Sequence, residues 1–241
     1  MLQAIAPVLP MKTTFSPWLR ALTVCFFSAL GLATATAQNE VKKAGFVRLV
    51  NAVSPGTGQL QLIVDGRNVN PDGYSLGDVT GGIGLPPGSH EIKLKREGTE
   101  DGSTKVNVVH GETTILVPFA ERIPASDEKP AYWALRILRL KQKEVEKGRS
   151  ATFVSVSSQP ELQVELKEPN GDWTKVFVKR LATSQAPLNY PEGYAPLRTK
   201  QGDIDAIPIG SEGNYVVILY DDENSKVRAV NFKDLKYLSA D

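Results

Sequence analysis

Apolar and polar residues alternate at every second position through most of the chain after residue 45. In "QLQLIVDG", for example, Leu60, Leu62 and Val64 share one face and Gln61 and Asp65 lie on the other. The same period continues in "HEIKLKR", "ILVPF", "ELQVEL", "NYVVILY" and "VRAVNF". Short alternating runs that are rich in β-branched and aromatic residues are typical of half-buried strands. The sequence therefore predicts an all-β protein.

Turn-forming residues separate these runs, in "VDGR", "NPDGY", "LPPGS", "VHGET" and "PNGDW". Asn170-Gly171 is the strongest of these signals, because both central residues of a tight hairpin turn favour positive φ. Strands spaced this closely, with almost no helical period between them, predict β-sandwich architecture.

The segment 132–147, "YWALRILRLKQKEVEK", fits two kinds of structure. Trp133, Ile137 and Leu140 are spaced for one face of a helix. Trp133, Leu135 and Ile137 also alternate as in a strand that continues to Leu140. We favour a closing strand followed by a charged linker.

That linker, residues 142–149, divides the chain into a first predicted sandwich domain, 38–141, and a second, 150–241. The two halves also share a weak pattern. "VHGETTILVPFAE … AYWALRILRLK" and "IGSEGNYVVILYDDENSKVRAVNFK" both contain a turn, a glycine, an apolar strand, a polar gap and a second apolar strand. The pattern predicts two related folds with different loops.

Residues 1–37 have the features of a cleaved signal peptide. Lys12 and Arg20 precede the apolar run "ALTVCFFSALGLA". "ATA" comes directly before Gln38, which predicts cleavage between Ala37 and Gln38. An uncleaved anchor is the alternative, but this run of 13 residues is shorter than the roughly 20 that a bilayer requires.

Loss of 37 of the 241 residues would leave a chain of 204 residues without cysteine, since the single Cys25 lies in the removed segment. Val24 before Cys25 argues against a lipid anchor, and Met1 and Met11 both fit as the translation start. An exported chain without disulfides depends on its hydrophobic cores for stability. We expect a bacterial protein of the periplasm, cell surface or extracellular space.

The remaining charges, 26 basic against 27 acidic after Lys12 and Arg20 are removed, are nearly balanced. A balanced surface offers no electrostatic footprint for nucleic acid or anionic lipid. No later apolar stretch has the length of a transmembrane helix. Nucleic acid is therefore not an expected partner, and no transmembrane segment is expected in the mature chain.

The glycine-rich stretch 74–96, "YSLGDVTGGIGLPPGSHEIKLKR", lacks the third glycine of a dinucleotide-binding fingerprint and the Gly-Lys-Ser/Thr of a P-loop. Pro86 and Pro87 would end one strand, and Gly88 supplies the permissive backbone of a corner before His90 begins the next strand. The stretch therefore predicts a corner between strands rather than a phosphate site.

The motifs "VRLVNAVSPG", "LQLIVDGRNV", "YSLGDVTGGIGLPPGSHEIKL" and "VHGETTILVPF" follow one another between Phe46 and Phe119. In this order they resemble an uncharacterised family of secreted bacterial and archaeal immunoglobulin-like sandwich modules, a domain of unknown function. "LPPGSHEIKLKREG" is also similar to the PEGA surface-layer-associated repeat. The resemblance implies an extracellular or envelope β-sandwich without established catalytic residues.

Residue types that carry catalysis or metal binding lack the required spacing. His90 and His110 show no paired zinc-ligand spacing, so we interpret them as a packed or rim imidazole and a turn residue. Ser211 in "IGSEGN" is not part of a nucleophile elbow. The acidic tip 221–224, "DDEN", lacks the spacing of a calcium loop. The carboxylates that could form a glycosidase pair are Asp65, Asp78, Asp203 and Asp205. The sequence predicts no catalytic, cofactor-binding or metal-binding residue, and no enzyme.

Three aromatic residues are the candidate ligand-binding residues. Tyr190 and Tyr194 lie in "LNYPEGYAPLR", and Trp173 follows "PNGD". Exposed rings on a rigid sandwich can stack sugars or anchor a protein partner, although such rings also cover the edge of a core. We predict a non-catalytic module with a structural, adhesion or protein-interaction role and an envelope protein as partner. A carbohydrate-binding module with a glycan partner is the alternative, and a secreted hydrolase is less favoured.

Overall fold

The computed structural model describes residues 43–235, apart from 144 and 146. The predicted signal peptide, with its cleavage site between Ala37 and Gln38, lies outside the described residues. The described part contains sixteen strands and no helix, so the all-β prediction is confirmed. It accordingly contains no helix that is long and apolar enough to cross a membrane.

Eight strands form the first sandwich (sandwich 1). They are β1 Gly45–Leu49, β2 Thr57–Val64, β3 Arg67–Asn68, β4 Ile83–Leu85, β5 Gly88–Glu97, β6 Gly102–Val108, β7 Thr113–Ile123 and β8 Tyr132–Lys141. Inner sheet 1 has the strand order β4-β1-β7-β8, and outer sheet 1 has the order β3-β2-β5-β6. Leu60, Leu62, Ile92 and Leu94 of the outer sheet pack against Leu116 of the inner sheet in a buried core.

The remaining strands form sandwich 2. They are β9 Arg149–Ser155, β10 Glu161–Lys167, β11 Trp173–Lys179, β12 Thr183–Pro187, β13 Gly193–Thr199, β14 Gly202–Ile209, β15 Gly213–Asp221 and β16 Val227–Lys233. Inner sheet 2 has the order β12-β9-β15-β16, and outer sheet 2 has the order β11-β10-β13-β14. Phe153, Val164, Leu197, Ile207 and Val217 belong to its core.

The two sandwiches have the same topology. Adding eight to every strand number of sandwich 1 reproduces both strand orders of sandwich 2. The parallel pairing of β1 with β7 likewise recurs as β9 with β15, among otherwise antiparallel pairs. The sequence echo between the two halves falls on the equivalent hairpins β7–β8 and β15–β16. Related folds in the two halves are therefore confirmed by the strand order.

The inner sheets pack against each other, and both sandwiches belong to one compact unit. Ile115 and Val117 of β7 lie in a buried cluster with Ile218 and Tyr220 of β15. The central strands β7 and β15 of the inner sheets are therefore buried on both faces, and residues 214–220 are buried without interruption. The half-buried interpretation of "ILVPF" and "NYVVILY" is wrong, because a second sheet covers the face that would otherwise meet solvent.

Polar contacts join the sandwiches at the ends of this apolar layer. The buried Arg48 of β1 donates from Nη1 to the carbonyl of Lys233 at 2.9 Å, and its guanidinium lies 4.1 Å from the ring centroid of Phe232. Arg180 of sandwich 2 donates to Glu121 of β7 at 3.3 Å. The two sandwiches thus share hydrogen bonds as well as a core.

Segment 132–147 is a strand as far as Lys141, as we favoured, and β9 begins at Arg149. The closing strand pairs with β7 along ten residues, from Tyr132 opposite Ile123 to Lys141 opposite Thr114. The predicted linker therefore connects the inner sheets that pack against each other.

The glycine-rich stretch is a corner, as predicted. β4 ends in inner sheet 1 and β5 begins in outer sheet 1, so Pro86 and Pro87 carry the chain from one sheet to the other. Gly88 has φ +136°, a conformation that L side chains rarely adopt. Sandwich 2 repeats the device between β12 and β13, where Pro191 and Glu192 precede Gly193 with φ +123°. A Pro-x-Gly crossover is therefore common to both sandwiches.

The turn at Asn170-Gly171 lies where the sequence places it, between β10 and β11, but its geometry differs from the prediction. Gly171 has φ +93°, and Asn170 is not among the residues with positive φ. The amide of Gly171 donates to Glu168 O at 2.9 Å, which closes a four-residue turn. The central residues of this turn are therefore Pro169 and Asn170, and Gly171 follows them as the residue with positive φ.

Candidate functional site

Trp173 and Tyr194 project from the solvent-exposed face of outer sheet 2. Trp173 begins β11, and Tyr194 is the second residue of β13, with 72% of its surface exposed. Their neighbours in the alternation, Val176 on β11 and Ala195 on β13, are buried in the core. The pleat of the strands therefore directs both rings away from the core.

Phe177 belongs to the same face, and sequence analysis did not single it out. It lies four residues after Trp173 on β11, faces Gln163 across the strand pair and is 54% exposed. In "WTKVFVK" both alternating sets contain apolar residues, so periodicity alone does not say which set is buried. We call Trp173, Phe177 and Tyr194 the aromatic face.

Tyr190 lies elsewhere. Its half-buried side chain packs against the core of sandwich 2, and burial raises the pKa of its hydroxyl. Its carbonyl accepts a hydrogen bond from Arg149 Nη1 at 3.0 Å. Of the three predicted candidates, the structure brings Trp173 and Tyr194 together on one face and places Tyr190 against the core.

A basic side chain covers the ring of Trp173. The guanidinium carbon of Arg198 lies 3.8 Å from the centroid of that ring, and Arg198 Nε donates to Glu165 Oε2 at 2.7 Å. The hydrogen bond from Arg198 is the main reason that the pKa of Glu165 is lowered. Lys167 Nζ also lies 5.8 Å from the same ring centroid. The face thus combines aromatic, guanidinium and carboxylate groups in fixed contact.

Proline side chains flank Tyr194. In the register of β13 and β14, Tyr194 is opposite Pro208, and Pro196 follows on the outward side opposite Ala206. Proline offers a rigid apolar surface that loses little conformational entropy when it becomes covered. The surroundings of Tyr194 are therefore preorganised for contact.

Outer sheet 1 provides an internal comparison. Its strands occupy equivalent positions, yet "TGQLQLIV", "RN", "GSHEIKLKRE" and "GSTKVNV" contain no Phe, Trp or Tyr. The equivalent strands of outer sheet 2 contain three aromatic residues, and all three project outward. The fold itself therefore does not require aromatic residues at these positions.

The other residues considered from the sequence make local hydrogen bonds. His90 bridges Asp65 Oδ2 at 2.6 Å and the carbonyl of Pro86 at 2.7 Å, at the rim of sandwich 1. Asp78 Oδ2 accepts from the amide of Ser75 at 2.6 Å. These groups stabilise corners and turns.

In sandwich 2, Asp205 accepts from Asn231 Nδ2 at 2.5 Å and from the amide of Ala206 at 2.8 Å. Ser211 Oγ accepts from Lys233 Nζ at 2.5 Å, in an exposed turn. The tip of the β15–β16 hairpin is closed by Asp222, which accepts from the amides of Asn224 and Lys226. His110 lies in the β6–β7 turn, and Asp203 faces Arg198 in the register of β13 and β14. Within residues 43–235 as described, no group of three or more His, Cys, Asp or Glu side chains could hold a metal ion.

A scan against protein-family models found no match to the chain. A search of the curated proteins likewise found no match.

Proposed function

We propose that the chain is an exported, non-catalytic protein of two immunoglobulin-like sandwiches that binds a protein partner through its aromatic face. One observation carries this proposal. Trp173, Phe177 and Tyr194 share an exposed face of outer sheet 2, whereas the equivalent strands of outer sheet 1 have no aromatic residue. Exposed aromatic residues without a role in the fold are typical of binding surfaces.

The composition of the face favours a protein over a glycan. Protein interfaces are enriched in aromatic residues and arginine, and their central residues are held in place before binding. Arg198 lies on the ring of Trp173 and is held there by Glu165, so that side of the ring is not free to stack on a sugar. A glycan remains the alternative partner, with Tyr194 as its stacking residue.

Export is supported by the basic and apolar pattern that precedes the predicted cleavage between Ala37 and Gln38. A cysteine-free chain after this site fits a protein that folds outside the cytoplasm without disulfides. The resemblance of residues 46–119 to secreted sandwich modules also supports a place in the periplasm, at the cell surface or outside the cell. A non-catalytic role is supported by the local hydrogen bonds of Asp65, Asp78 and Asp205.

Capture from envelope fractions, followed by measurement with the purified partner, tests the proposal. The bait is the protein without residues 1–37, which retains the whole compact unit from Val41 onward. We expect the Phe177→Ala/Tyr194→Ala variant to bind the identified partner at least about tenfold more weakly, since truncation of interface anchors often costs 2 kcal/mol or more.

Val109→Ala is the matched control, because Val109 is an exposed apolar residue of sandwich 1. It should bind as the wild type does, and all three proteins should have the same melting temperature. Equal binding by the double variant would refute the role of the aromatic face. Binding to a glycan array that depends on Tyr194 would instead support the alternative function.

A further inference from the structure

A cleft lies where the two sandwiches meet. It has a volume of about 920 Å³ and is lined on one side by Ser54, Arg96 and Trp133 of sandwich 1 and on the other by Ser158 and Glu223 of sandwich 2. The volume is within the range of small-molecule sites. None of the three residues of the aromatic face lines it.

Arg96 is a buried cation in this cleft and forms no ion pair with any described residue. It continues the inward side of β5 after Leu94, and only 8% of its surface is exposed. Its Nη1 donates to the carbonyl of Val53, and its Nη2 donates to the carbonyl of Gly56 at 3.4 Å. No carboxylate of the described residues forms an ion pair with it, and Nε has no hydrogen-bond partner there.

Such an arrangement is costly for the protein alone. Burial lowers the pKa of Arg96, while the negative charge of Glu223 acts in the opposite direction. Arginine nevertheless stays protonated in proteins, so the guanidinium must keep its charge in a poorly solvated place. A buried charge usually has an oppositely charged partner that is hydrogen-bonded to it.

One edge of the guanidinium has a defined chemistry. Nε and Nη2 lie on the same edge of the planar group and present two parallel N–H donors. This spacing matches the two oxygens of a carboxylate, which accepts both hydrogen bonds at once. In Arg96 that edge makes only the long contact from Nη2 to Gly56.

Most acidic groups of the cleft already accept hydrogen bonds or form ion pairs. Asp221 accepts from Ser157 Oγ at 2.6 Å and from the amide and hydroxyl of Ser158, both at 2.7 Å. Glu121 pairs with Arg136 at 3.2 Å and Arg180 at 3.3 Å. Asp222 accepts from Arg228 at 2.9 Å in its own hairpin. These carboxylates therefore do not compete for Arg96.

Two further charged groups lie at the exposed edge of the cleft. Arg122 lies over the ring of Trp133, 5.3 Å from its centroid, and has no ion pair within the described residues. Glu223, in the hairpin loop of sandwich 2, is exposed and likewise has none. Among the cleft residues, Arg96 and Arg122 are the guanidinium groups without an ion pair in the described part of the chain, and Asp221 and Glu223 are the carboxylates without one. Asp221 already accepts three hydrogen bonds from Ser157 and Ser158, which leaves Glu223 as the acid that acts on Arg96.

We infer that this cleft binds a carboxylate, which Arg96 holds through Nε and Nη2. Arg122 and Trp133 contact the rest of the ligand at the exposed edge, and Glu223 moves away from Arg96 when the ligand enters. The carboxylate belongs either to a free small acid or to the carboxyl terminus of a polypeptide. This site is separate from the aromatic face, so either inference can fail without the other.

The Nε–Hε resonance of Arg96 in ¹⁵N-labelled protein is a direct probe of this contact. The resonance is identified by its loss in Arg96→Lys. The protein is titrated with sodium glucuronate, with the peptide acetyl-Gly-Gly-Gly-Ala bearing a free carboxyl terminus, and with the same peptide amidated. We expect a saturable shift with at least one of the two carboxylates and none with the amidated peptide, and the responding probe tells the two sources apart.

Variants measure the contribution of each arginine. Arg96→Lys keeps the charge but loses the paired donors, and we expect binding to weaken at least about tenfold. Arg122→Gln should weaken it about two- to fivefold, as for an exposed charge. Arg139→Gln, which removes an exposed arginine outside the cleft, should leave binding unchanged.

Three results would overturn the inference: no saturable shift with either carboxylate, an equal shift with the amidated peptide, or affinity that is the same in Arg96→Lys and wild type. If Arg96→Lys does not fold, the Nε–Hε resonance of Arg96 is assigned by triple-resonance spectroscopy of the wild type. The wild-type titration and the exposed-site variant Arg122→Gln then decide.

Discussion

Outer sheet 1 and outer sheet 2 have equivalent strands, with β2 matching β10 and β5 matching β13, but their exposed faces differ. The first presents residues such as Gln61, Lys93 and Lys95 to solvent, and the second presents Phe177 and Tyr194. Most buried positions in both sheets are apolar and satisfy the same sandwich packing, with Arg96 and Thr199 as polar exceptions. The comparison shows which residues the fold requires and which serve another purpose, because only the buried pattern is common to both.

The two inner sheets, by contrast, resemble each other, because the central strands of each are buried on both faces. Ile115 of inner sheet 1 and Ile218 of inner sheet 2 lie in the same buried cluster between the sandwiches. Each sheet therefore contributes to two cores, that of its own sandwich and the shared one. We therefore expect substitutions in the shared layer to destabilise the protein more than substitutions elsewhere.

The largest expected effect concerns this shared layer. Ile218→Ala removes a fully buried side chain, so it should lower the free energy of unfolding by about 2–5 kcal/mol. Ile115→Ala should cost a similar amount. Phe177→Ala, on the exposed face, should change the free energy of unfolding by less than about 0.5 kcal/mol. Urea denaturation of the three variants measures the difference, and equal costs for buried and exposed positions would contradict the shared core.

The next effect tests whether the two Pro-x-Gly crossovers are equivalent. Gly88→Val and Gly193→Val each place a β-branched residue at positive φ, which should cost about 1–3 kcal/mol. No atom would lie within 4 Å of an added Cβ at either position, so backbone strain alone accounts for the loss. Gly81→Val is the control, since that position has open space and no positive φ. An unchanged melting temperature in either crossover variant would refute the turn assignment there.

Sequence patterns predicted the strands and the corner well, and the reason is local. A period of two and a Pro-x-Gly motif act through the residue and its immediate neighbours. The shared layer of Ile115 and Ile218 was not predicted, although the continuous apolar run "YVVILY" is the signal of a strand buried on both faces. Alternation is the dominant pattern of the chain, and it favours a half-buried interpretation of this run as well.

The candidate sites depend on contacts that no local pattern records. Trp173 and Tyr194 could be singled out as aromatic residues near turns, but their common face results from the pairing of β11, β10 and β13. Tyr190 has the same local appearance and packs on the core. Arg96 and Glu223 are brought together only by the packing of one sandwich on the other.

A smaller expected effect is the pH dependence of stability, which should differ between the two crossovers. Residues at equivalent distance from the glycine are His90 in sandwich 1 and Ala195 in sandwich 2. The hydrogen bond to Asp65 raises the pKa of His90, and the hydrogen bond from His90 lowers the pKa of Asp65. Both ring nitrogens of His90 face acceptors, so the doubly protonated ring suits this geometry.

The signs of these shifts define the pH window of that effect. The contribution of His90 is complete below its ordinary pKa of 6.5 and is lost as the pH rises through the raised value. The contribution of Asp65 is complete above 3.8 and is lost as the pH falls through the lowered value. His90→Gln should remove the alkaline loss, which thermal unfolding from about pH 5 to 9 would measure. A wild-type protein with the same alkaline profile as His90→Gln would contradict the bridge.

The smallest expected effect concerns the guanidinium on the aromatic face. Arg198→Ala removes the contact with Trp173 and the ion pair with Glu165, both of them near the surface. The free energy of unfolding should fall by less than about 1 kcal/mol, as is usual for exposed pairs. The fluorescence of Trp173 should change nonetheless, because the ring loses its cover. Since Trp133 also emits in the protein without residues 1–37, the spectrum is compared with that of Trp173→Phe. If the face is a protein-binding surface, Arg198→Ala weakens partner binding while stability is nearly preserved. Improved glycan binding after removal of the guanidinium from the ring of Trp173 would instead favour the sugar-binding alternative.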